Sequence, residues 1–386
     1  MTLLREHPTV RFEAPRETFA PAPAERRGLR RDQVRLLVAD GARGLTHTTF
    51  THLPDHLRAG DVVVVNDSAT VPGQLDSVSS RHGTVVVHLA MPLEDGSWVV
   101  EVRRAPDADR AVLDAEPADV LDIAAGTSYL RLLEPYPEPG SSPTGAGNRL
   151  WRAEVARGSS DLRSVARHYG RPISYGYLAD RYPIADYQTV FGHRPGSAEM
   201  PSAGRPFTEE LVTRLVSRGV TVVPVTLHTG VSSQEAGEAP QPEWFEVAAA
   251  SAAVVNAARA GGGRVVAVGT TVTRALESAV ADDGSRRVVG RRGWTTRVVT
   301  PADPPRVVDG LVTGWHDPEA SHLLLVEAVA GVELTQSAYA AATDEGYLWH
   351  EFGDSALLLS ERSKEVEQPA RTERVFRDPG GGQGNT

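Results

Sequence analysis

Short apolar runs and helical patterns alternate between residues 208 and 281, and this alternation constrains the fold more than any other feature. The predicted order is helix, strand, helix, strand and helix, over residues 208–219, 220–227, 247–260, 264–269 and 271–281. Strands and helices joined by short links form layered α/β folds. A further run has four consecutive valines, Val62 to Val65, which suits a strand buried on both faces of a sheet. The sequence therefore predicts the α/β class.

A different pattern lies between residues 75 and 158. Short β-like runs alternate there with Gly, Pro, Asp and Glu, and little of the segment has a helical pattern; the runs span residues 84–90, 98–103, 127–133 and 151–156. Regularly spaced short strands with turn residues between them are typical of small barrels and sandwiches. We therefore predict a small β-barrel or sandwich in this segment.

The β-only segment interrupts the α/β pattern, which predicts a discontinuous domain. Residues 1–74 and 159–360 are expected to form the α/β domain, and residues 75–158 the inserted β domain. Residues 361–386 are polar and end in a Gly-rich stretch, so we predict a disordered tail.

Composition excludes several kinds of chemistry. The chain has no Cys, which rules out disulfides, thiolate zinc sites, iron–sulfur clusters and a cysteine nucleophile. Its one lysine, Lys364, lies in the polar tail, which argues against a lysine Schiff base. The histidines have no metal-ligand spacing, and we predict no metal. The formal net charge of −10 means that any contact with nucleic acid has to come from a local patch. With no signal-peptide core and no long apolar stretch, we expect a cytoplasmic protein outside the membrane.

The strongest local motif is the strand-to-helix junction around Gly269-Thr270-Thr271. Either threonine can cap the helix, and the free backbone N–H groups of a helix start favour an anion such as a carboxylate or phosphate. Arg274 and Glu277 follow on one helix face. The alternative interpretation is a capped helix that carries a surface ion pair.

Two histidines follow predicted strands, where α/β folds place their chemistry. His228 ends the strand 220–227, and His316 follows the strand 307–312. Either imidazole could act as a general base near neutral pH. The alternative is a hydrogen-bonded structural histidine.

Two segments combine features that suit RNA. Five of the nine tyrosines lie between Tyr169 and Tyr187, with arginines between them, a pattern that can stack bases and bind phosphates. A basic cluster with no acidic residue spans Arg286–Arg297 and is the best candidate phosphate contact. The alternatives are a loop whose aromatic rings cover the core and a solvated hairpin.

Read in order, the chain resembles one family, the S-adenosylmethionine:tRNA ribosyltransferase-isomerases of queuosine biosynthesis. The matching runs extend from about residue 12 to 360 and include Leu57-Arg-Ala-Gly-Asp-Val-Val-Val-Val-Asn-Asp67, Pro201-Ser-Ala-Gly204, Phe207-Thr-Glu-Glu-Leu, Val225-Thr-Leu-His-Thr-Gly230, Val268-Gly-Thr-Thr271, Arg274-Ala-Leu-Glu-Ser278 and Phe352-Gly-Asp-Ser.

The resemblance implies an α/β-barrel-like domain with an inserted small β-barrel domain. It also implies transfer of the ribosyl part of S-adenosylmethionine to an aminomethyl-deazaguanine base of tRNA, with release of adenine and methionine. S-adenosylmethionine is then a co-substrate, and we expect a monomer. The resemblance assigns catalytic roles to His228, Asp67 and His316 and cofactor binding to Thr270, Thr271, Arg274, Glu277, Ser202, Gly204 and Phe207. Asn66 and Asp309 are further candidates for binding ribose hydroxyls or an amine.

Some loops depart from the family pattern. Arg205-Pro206 stands where the family usually has Leu-His, residues 238–246 lack two usual histidines, and residues 314–322 and 174–177 are altered. Loops at strand ends determine chemistry and substrate in such folds. A divergent member that uses S-adenosylmethionine or a related nucleoside on a small molecule is therefore the alternative, and a non-catalytic adenosyl-binding protein is a third.

Overall fold

The computed structural model describes residues 4, 6–14, 16–140, 145–232, 237–295, 297–318 and 320–360. The predicted disordered tail lies outside these residues. In chain order the strands are β1 (Arg35–Asp40), β2 (Gly44–Thr49), β3 (Val62–Asn66), β4 (Ser68–Thr70), β5 (Gln74–Ser79), β6 (Gly83–Pro92), β7 (Trp98–Arg104), β8 (Val120–Asp122), β9 (Tyr129–Pro135), β10 (Leu150–Arg157), β11 (Arg194–Ser197), β12 (Thr221–Leu227), β13 (Trp244–Val247), β14 (Val265–Val268), β15 (Arg291–Trp294), β16 (Gly310–Gly314) and β17 (Ser355–Leu359). The α-helices are α1 (Leu162–Tyr169), α2 (Glu209–Ser217), α3 (Ala249–Ala260), α4 (Thr270–Ser278), α5 (His322–Ala330) and α6 (Val332–Asp344).

A nine-stranded sheet forms the larger part of the molecule, in the order β15-β13-β12-β3-β14-β16-β17-β1-β2. The neighbours β12, β3, β14 and β16 are parallel, so their carboxyl ends meet at one edge of the sheet. β17 is antiparallel to β16, and the chain therefore enters β17 at that same edge. This carboxyl edge positions the candidate site.

The valine run behaves as its sequence predicts. All five residues of β3 are buried. Val62 and Val64 belong to one core cluster, and Val63 and Val65 to a second one on the opposite face. A strand covered on both faces needs apolar residues at consecutive positions, because alternate side chains point to opposite sides.

A closed six-stranded barrel forms between β5 and β10, in the order β10-β7-β6-β5-β8-β9. The α/β class and the inserted β-barrel are thus confirmed, although the large sheet runs between two edge strands and does not close as the small one does. Leu162, Val165 and Ala166 of α1 pack into the barrel's core cluster. The exact division into domains stays a prediction.

A buried ion-pair network ties the barrel to the larger sheet's loops. The guanidinium of Arg149 donates to Glu101 within the barrel at 3.0 Å and to Glu238, outside it, at 2.6 Å. Burial raises the pKa of the Glu101 carboxyl, but the charge of Arg149 and a hydrogen bond from His88 outweigh burial and hold that pKa below its usual range. The barrel is therefore joined to the segment that leads to the candidate site.

The predicted helices and strands of residues 208–281 occur within one to three residues of their expected limits, with one added strand, β13, before α3. None of the helices in the described ranges is long and apolar enough to span a membrane.

Candidate active site

A cavity of about 180 Å³ opens at the carboxyl edge of the large sheet. Its walls come from the segments that follow β11, β12, β14 and β16 and from those that precede β13 and β17. Five of the residues assigned from the sequence line it: Ser202, Thr270, Thr271, Arg274 and His316. Concave sites with a few converging polar groups are the usual place for small-molecule chemistry.

The start of α4 contributes an anion-binding end to this cavity. Gly269, which links β14 to α4, has φ 93° and ψ 157°, a conformation that side-chain-bearing residues rarely adopt. Thr273 N–H bonds back to the Gly269 carbonyl at 3.3 Å, so the N–H groups of Thr270, Thr271 and Val272 precede the first intrahelical bond. Free N–H groups and the helix dipole together favour a carboxylate or phosphate here.

Arg274 lines the cavity, but the protein already pairs its guanidinium. One nitrogen donates to the Glu243 carboxylate, and another donates to the Gln241 carbonyl at 2.6 Å and to Thr295 Oγ1 at 2.8 Å. Burial raises the pKa of Glu243, and the charge of Arg274 opposes that effect. Arg274 therefore fixes the segment before β13 against α4, and a ligand carboxylate has to share it with Glu243.

Two imidazoles lie together in the cavity wall. His316 follows β16, and its Nε2 lies 3.0 Å from Thr313 Oγ1. Its ring stacks on that of His322, at the start of α5, with centroids 4.8 Å apart. Burial lowers the pKa of His316 well below 6.5 and that of His322 to about 4. Both rings are therefore neutral near pH 7 and can accept a proton or a hydrogen bond.

The cavity carries more acidic than basic side chains. Among its described lining residues, three carboxyl groups, those of Glu199, Glu243 and Glu351, face one guanidinium, that of Arg274. Glu199 accepts hydrogen bonds from the Tyr175 hydroxyl and from the Ser232 amide and hydroxyl, and no ion pair neutralises it within the described residues. Because Glu243 is already paired with Arg274, Glu199 is the lining carboxyl group that favours a ligand with positive charge.

His228 and Asp67 lie at the same sheet edge but outside the cavity lining. His228 Nδ1 lies 2.8 Å from Ser68 Oγ, and its ring stacks on Trp244 with centroids 5.2 Å apart. Gly196 is packed so closely against that ring that a Cβ there would lie 2.4 Å from Nδ1. Asp67 accepts a hydrogen bond from Thr226 Oγ1 at 2.6 Å. Their catalytic roles stay predictions.

Five other candidate residues lie outside the cavity lining and form structural contacts. The buried Glu277 carboxylate accepts hydrogen bonds from the Arg297 guanidinium and from the backbone N–H groups of residues 306–308. It is therefore not part of a surface ion pair with Arg274, and its role in cofactor binding stays a prediction. Phe207 lies in the core against Phe50 and Phe191.

Gly204 donates its N–H to the Pro201 carbonyl behind the lining residue Ser202. Asp309 receives the Val265 N–H at the start of β16, the end away from the cavity. Asn66 uses its side-chain amide to join β3 to Leu227, at the end of β12.

Two side chains of the tyrosine segment contact residues that line the cavity. Tyr175 is bonded to Glu199, and Tyr177 stacks on the lining residue His350 with centroids 4.7 Å apart. Tyr187 is buried and Tyr182 packs on Phe352, whereas Tyr169 is 46% exposed. Most of these rings thus serve the core, as the alternative interpretation expects.

The basic cluster is partly neutralised. Arg291 pairs with Asp282, and Arg297 pairs with Glu277 and Asp303. Arg286, Arg287 and Arg292 are exposed and form no ion pair within the described residues. These three define the free part of the predicted phosphate contact.

Sequence reasoning did not identify several lining residues, namely Glu199, Glu243, His322, His350 and Glu351. Each is a single side chain in a loop or at a helix start, with no motif around it. The part of the chain that the structure describes contains no group of three or more His, Asp or Glu arranged to hold a metal ion.

Comparisons with known proteins identify the family of this chain. The family model described as "Queuosine biosynthesis protein" matches residues 8–358. The S-adenosylmethionine:tRNA ribosyltransferase-isomerase of Phenylobacterium zucineum is 35% identical over 90% of this chain and 97% of its own length. That of Gloeobacter violaceus is 34% identical over 90% and 94%. A crystal structure of the S-adenosylmethionine tRNA ribosyltransferase of Thermotoga maritima is 26% identical over 90% of this chain and 99% of its own, with a TM-score of 0.48. The chain belongs to the queuosine biosynthesis protein family.

Proposed function

We propose that the protein is an S-adenosylmethionine:tRNA ribosyltransferase-isomerase. It transfers the ribosyl part of S-adenosylmethionine to an aminomethyl-deazaguanine base of tRNA and releases adenine and methionine. The observation that carries this proposal is the cavity at the carboxyl edge, which combines the free start of α4 with the carboxyl group of Glu199, which has no ion pair within the described residues.

The two features match the negatively and the positively charged groups of the co-substrate. The N–H groups of Thr270 and Thr271 suit the methionine carboxylate. The unneutralised Glu199 suits positive charge, which the ligand carries on its sulfonium and its ammonium. S-adenosylmethionine is the co-substrate of the relatives by their names, and the cavity of this chain has groups for both signs of charge.

The neutral histidine pair supplies a proton acceptor. A sulfonium acidifies the protons on the adjacent C5′ carbon, so a modest base is enough to remove one. His316 lines the cavity, and burial keeps its imidazole uncharged. We assign His316 as the base, and we assign Ser202, which also lines the cavity, to ligand binding.

Binding of tRNA is proposed for the exposed arginines Arg286, Arg287 and Arg292, which flank or lie on β15. β15 pairs with β13, whose preceding segment forms a cavity wall, so RNA bound there would lie near the cavity. A monomeric, cytoplasmic protein stays a prediction.

The test is the release of adenine and methionine, measured by chromatography, with and without an anticodon stem-loop that carries the aminomethyl-deazaguanine base. Release that depends on this RNA supports the proposal. RNA-independent release in the presence of small amines would instead support the small-molecule alternative, and binding of S-adenosylmethionine with no release would leave a non-catalytic binding protein.

A further inference from the structure

Glu351 is a cavity-lining carboxyl group, one oxygen of which has no hydrogen-bond donor within the described residues. It lies in the segment that leads into β17, and its Oε2 is buried with no hydrogen-bond donor. Burial raises the pKa of Glu351 to about 7. Glu199 and Glu243, by contrast, each accept hydrogen bonds from the protein.

The groups around Glu351 leave it free to carry a proton. It borders both the main cavity and a smaller one beside it. The titratable and charged side chains that line these two spaces are Arg274 of α4, His316 after β16, His322 of α5, Glu199 after β11, Glu243 before β13, the neighbouring His350, and Arg31, Arg205 and Asp354. Arg274 is paired with Glu243, and Arg205 with Glu25. No ion pair of Glu351 is formed within the described residues.

Its position suits the purine end of the nucleoside. In the sheet, β16 lies between β14, which leads into the anion-binding start of α4, and β17, which follows Glu351. Two strand spacings place β17 about 10 Å from β14 across the sheet. Thr270 directly follows the β14 end, and Glu351 lies four residues before β17. A ligand whose amino-acid carboxylate binds at Thr270 and Thr271 and which extends along this edge brings its other end, the purine, to Glu351.

We propose that Glu351 is the proton donor to the adenine that leaves S-adenosylmethionine. In this step the aminomethyl nitrogen of the tRNA base forms a bond to C1′ as the C1′–N9 bond breaks. The electron pair of the broken bond goes to the purine, and the attacking amine gives up a proton to solvent. The proton of the Glu351 carboxyl passes to a ring nitrogen of the purine, so adenine leaves as a neutral molecule and Glu351 becomes a carboxylate. Solvent protonates it again after the products leave. This role rests on the proposed function.

Donor and acceptor thus coexist uncharged in one cavity. The neutral His316 can take the C5′ proton and the protonated Glu351 can give one to the leaving base. Environments that move the pKa values of two groups in opposite directions are the usual sign of such an acid and base division.

The test compares the wild-type protein with Glu351→Gln and Glu351→Asp, and with Asp344→Asn as a control for loss of one exposed carboxylate. Glu351→Gln should lower kcat for adenine release by about 100-fold or more, because it cannot give a proton. Its affinity for S-adenosylmethionine should stay within a few-fold. The wild-type rate should fall as pH rises above about 7, and this decline should be absent in Glu351→Gln and retained in Glu351→Asp and in the control.

A rate for Glu351→Gln within fivefold of the wild type, with the alkaline decline retained, would overturn the proposal while leaving the proposed function intact. Infrared spectroscopy further distinguishes failure of the Glu351 proposal from failure of the proposed function. At pH 6 the wild type should show a carboxylic acid C=O band that is absent in Glu351→Gln and shifts when S-adenosylhomocysteine binds. If no adenine is released but this band shifts, the proposed function fails and Glu351 still contacts the purine nucleoside; if the band is absent, the donor role fails.

Discussion

The imidazole rings of His316 and His322 stack with their centroids 4.8 Å apart and their planes 6° from parallel. Two cationic rings at this distance would repel each other, and burial removes the water that would screen them. Burial is the main cause of the lowered pKa of both histidines, and the charge of His322 would add to it at His316. The stack therefore holds a pair of neutral bases in the cavity wall.

Acid should destabilise the protein through His322. The unfolded chain takes up a proton at this residue as pH falls through 6.5, whereas the folded protein does so only at about 4. Stability is therefore lost as pH falls across this window, by about 2 kcal/mol at pH 5. Urea unfolding at pH 7.5 and 5 should show that His322→Leu removes this part of the loss. His168→Gln, on the exposed surface of α1, is the control and should leave the pH dependence as it is; equal losses in His322→Leu and the wild type would contradict the account.

Breaking the Arg274–Glu243 pair should destabilise the fold as well as the site. Arg274→Met leaves the Glu243 carboxyl without its cation, and the expected loss in the free energy of unfolding is about 3–5 kcal/mol. Arg274→Met/Glu243→Gln should recover much of that loss, because the lone charge is gone, but should not recover binding of S-adenosylmethionine. Arg131→Met breaks the exposed Arg131–Glu154 pair and should cost less than about 1 kcal/mol. Denaturant unfolding and calorimetric titration measure the two effects, and full recovery of binding in the double variant would be inconsistent with a site role.

Chemistry should depend on His316 far more than on His228. His316 lines the cavity, so His316→Gln should lower kcat by about 100-fold or more. His228 bonds to Ser68 and lies outside the lining, so we expect His228→Gln to lower kcat by less than about 10-fold. Steady-state adenine release measures both, and the reverse order would make His228 the base.

Binding of RNA should depend on exposed arginines that form no ion pair within the described part of the chain. Arg287→Ser/Arg292→Ser removes two exposed cations of the basic cluster, whereas Arg157→Ser/Arg163→Ser removes two exposed cations elsewhere. Only the first variant should weaken binding of the stem-loop. It should also reduce the slope of log K against log salt by about 0.7–0.9 for each phosphate that the protein no longer neutralises. Equal slopes for the two variants would exclude the cluster as the phosphate-binding surface.

The sequence predicts well those elements whose burial follows from their own residues, without knowledge of the rest of the fold. The consecutive valines of β3 indicate by themselves a strand buried on both faces. Gly269, followed by Thr270 and Thr271, indicates in the same way the turn from a strand into a helix. β5 is less visible, since polar Gln74, Ser77 and Ser79 fill most of its buried positions while Val78 is exposed, the reverse of the usual pattern. β8, with three residues, is too short to have a pattern.

The candidate site is only partly predictable for a related reason. Thr270 and His316 lie next to strands and can be placed from the strands alone. Glu199, Glu243 and Glu351 converge only because three segments, distant in the chain, enter one edge of the sheet. Glu277 shows the converse: its position on α4 suggests a ligand contact, yet its carboxylate holds the backbone of residues 306–308.

The most direct test of the proposed activity is the mass of the RNA itself. After incubation with the protein and S-adenosylmethionine, a stem-loop carrying the aminomethyl-deazaguanine base should gain the mass of the group derived from the ribosyl part of S-adenosylmethionine. One adenine and one methionine should appear for each modified base, and a stem-loop with guanine at that position should stay unchanged. RNA of unaltered mass after prolonged incubation, with S-adenosylmethionine intact, would contradict the account.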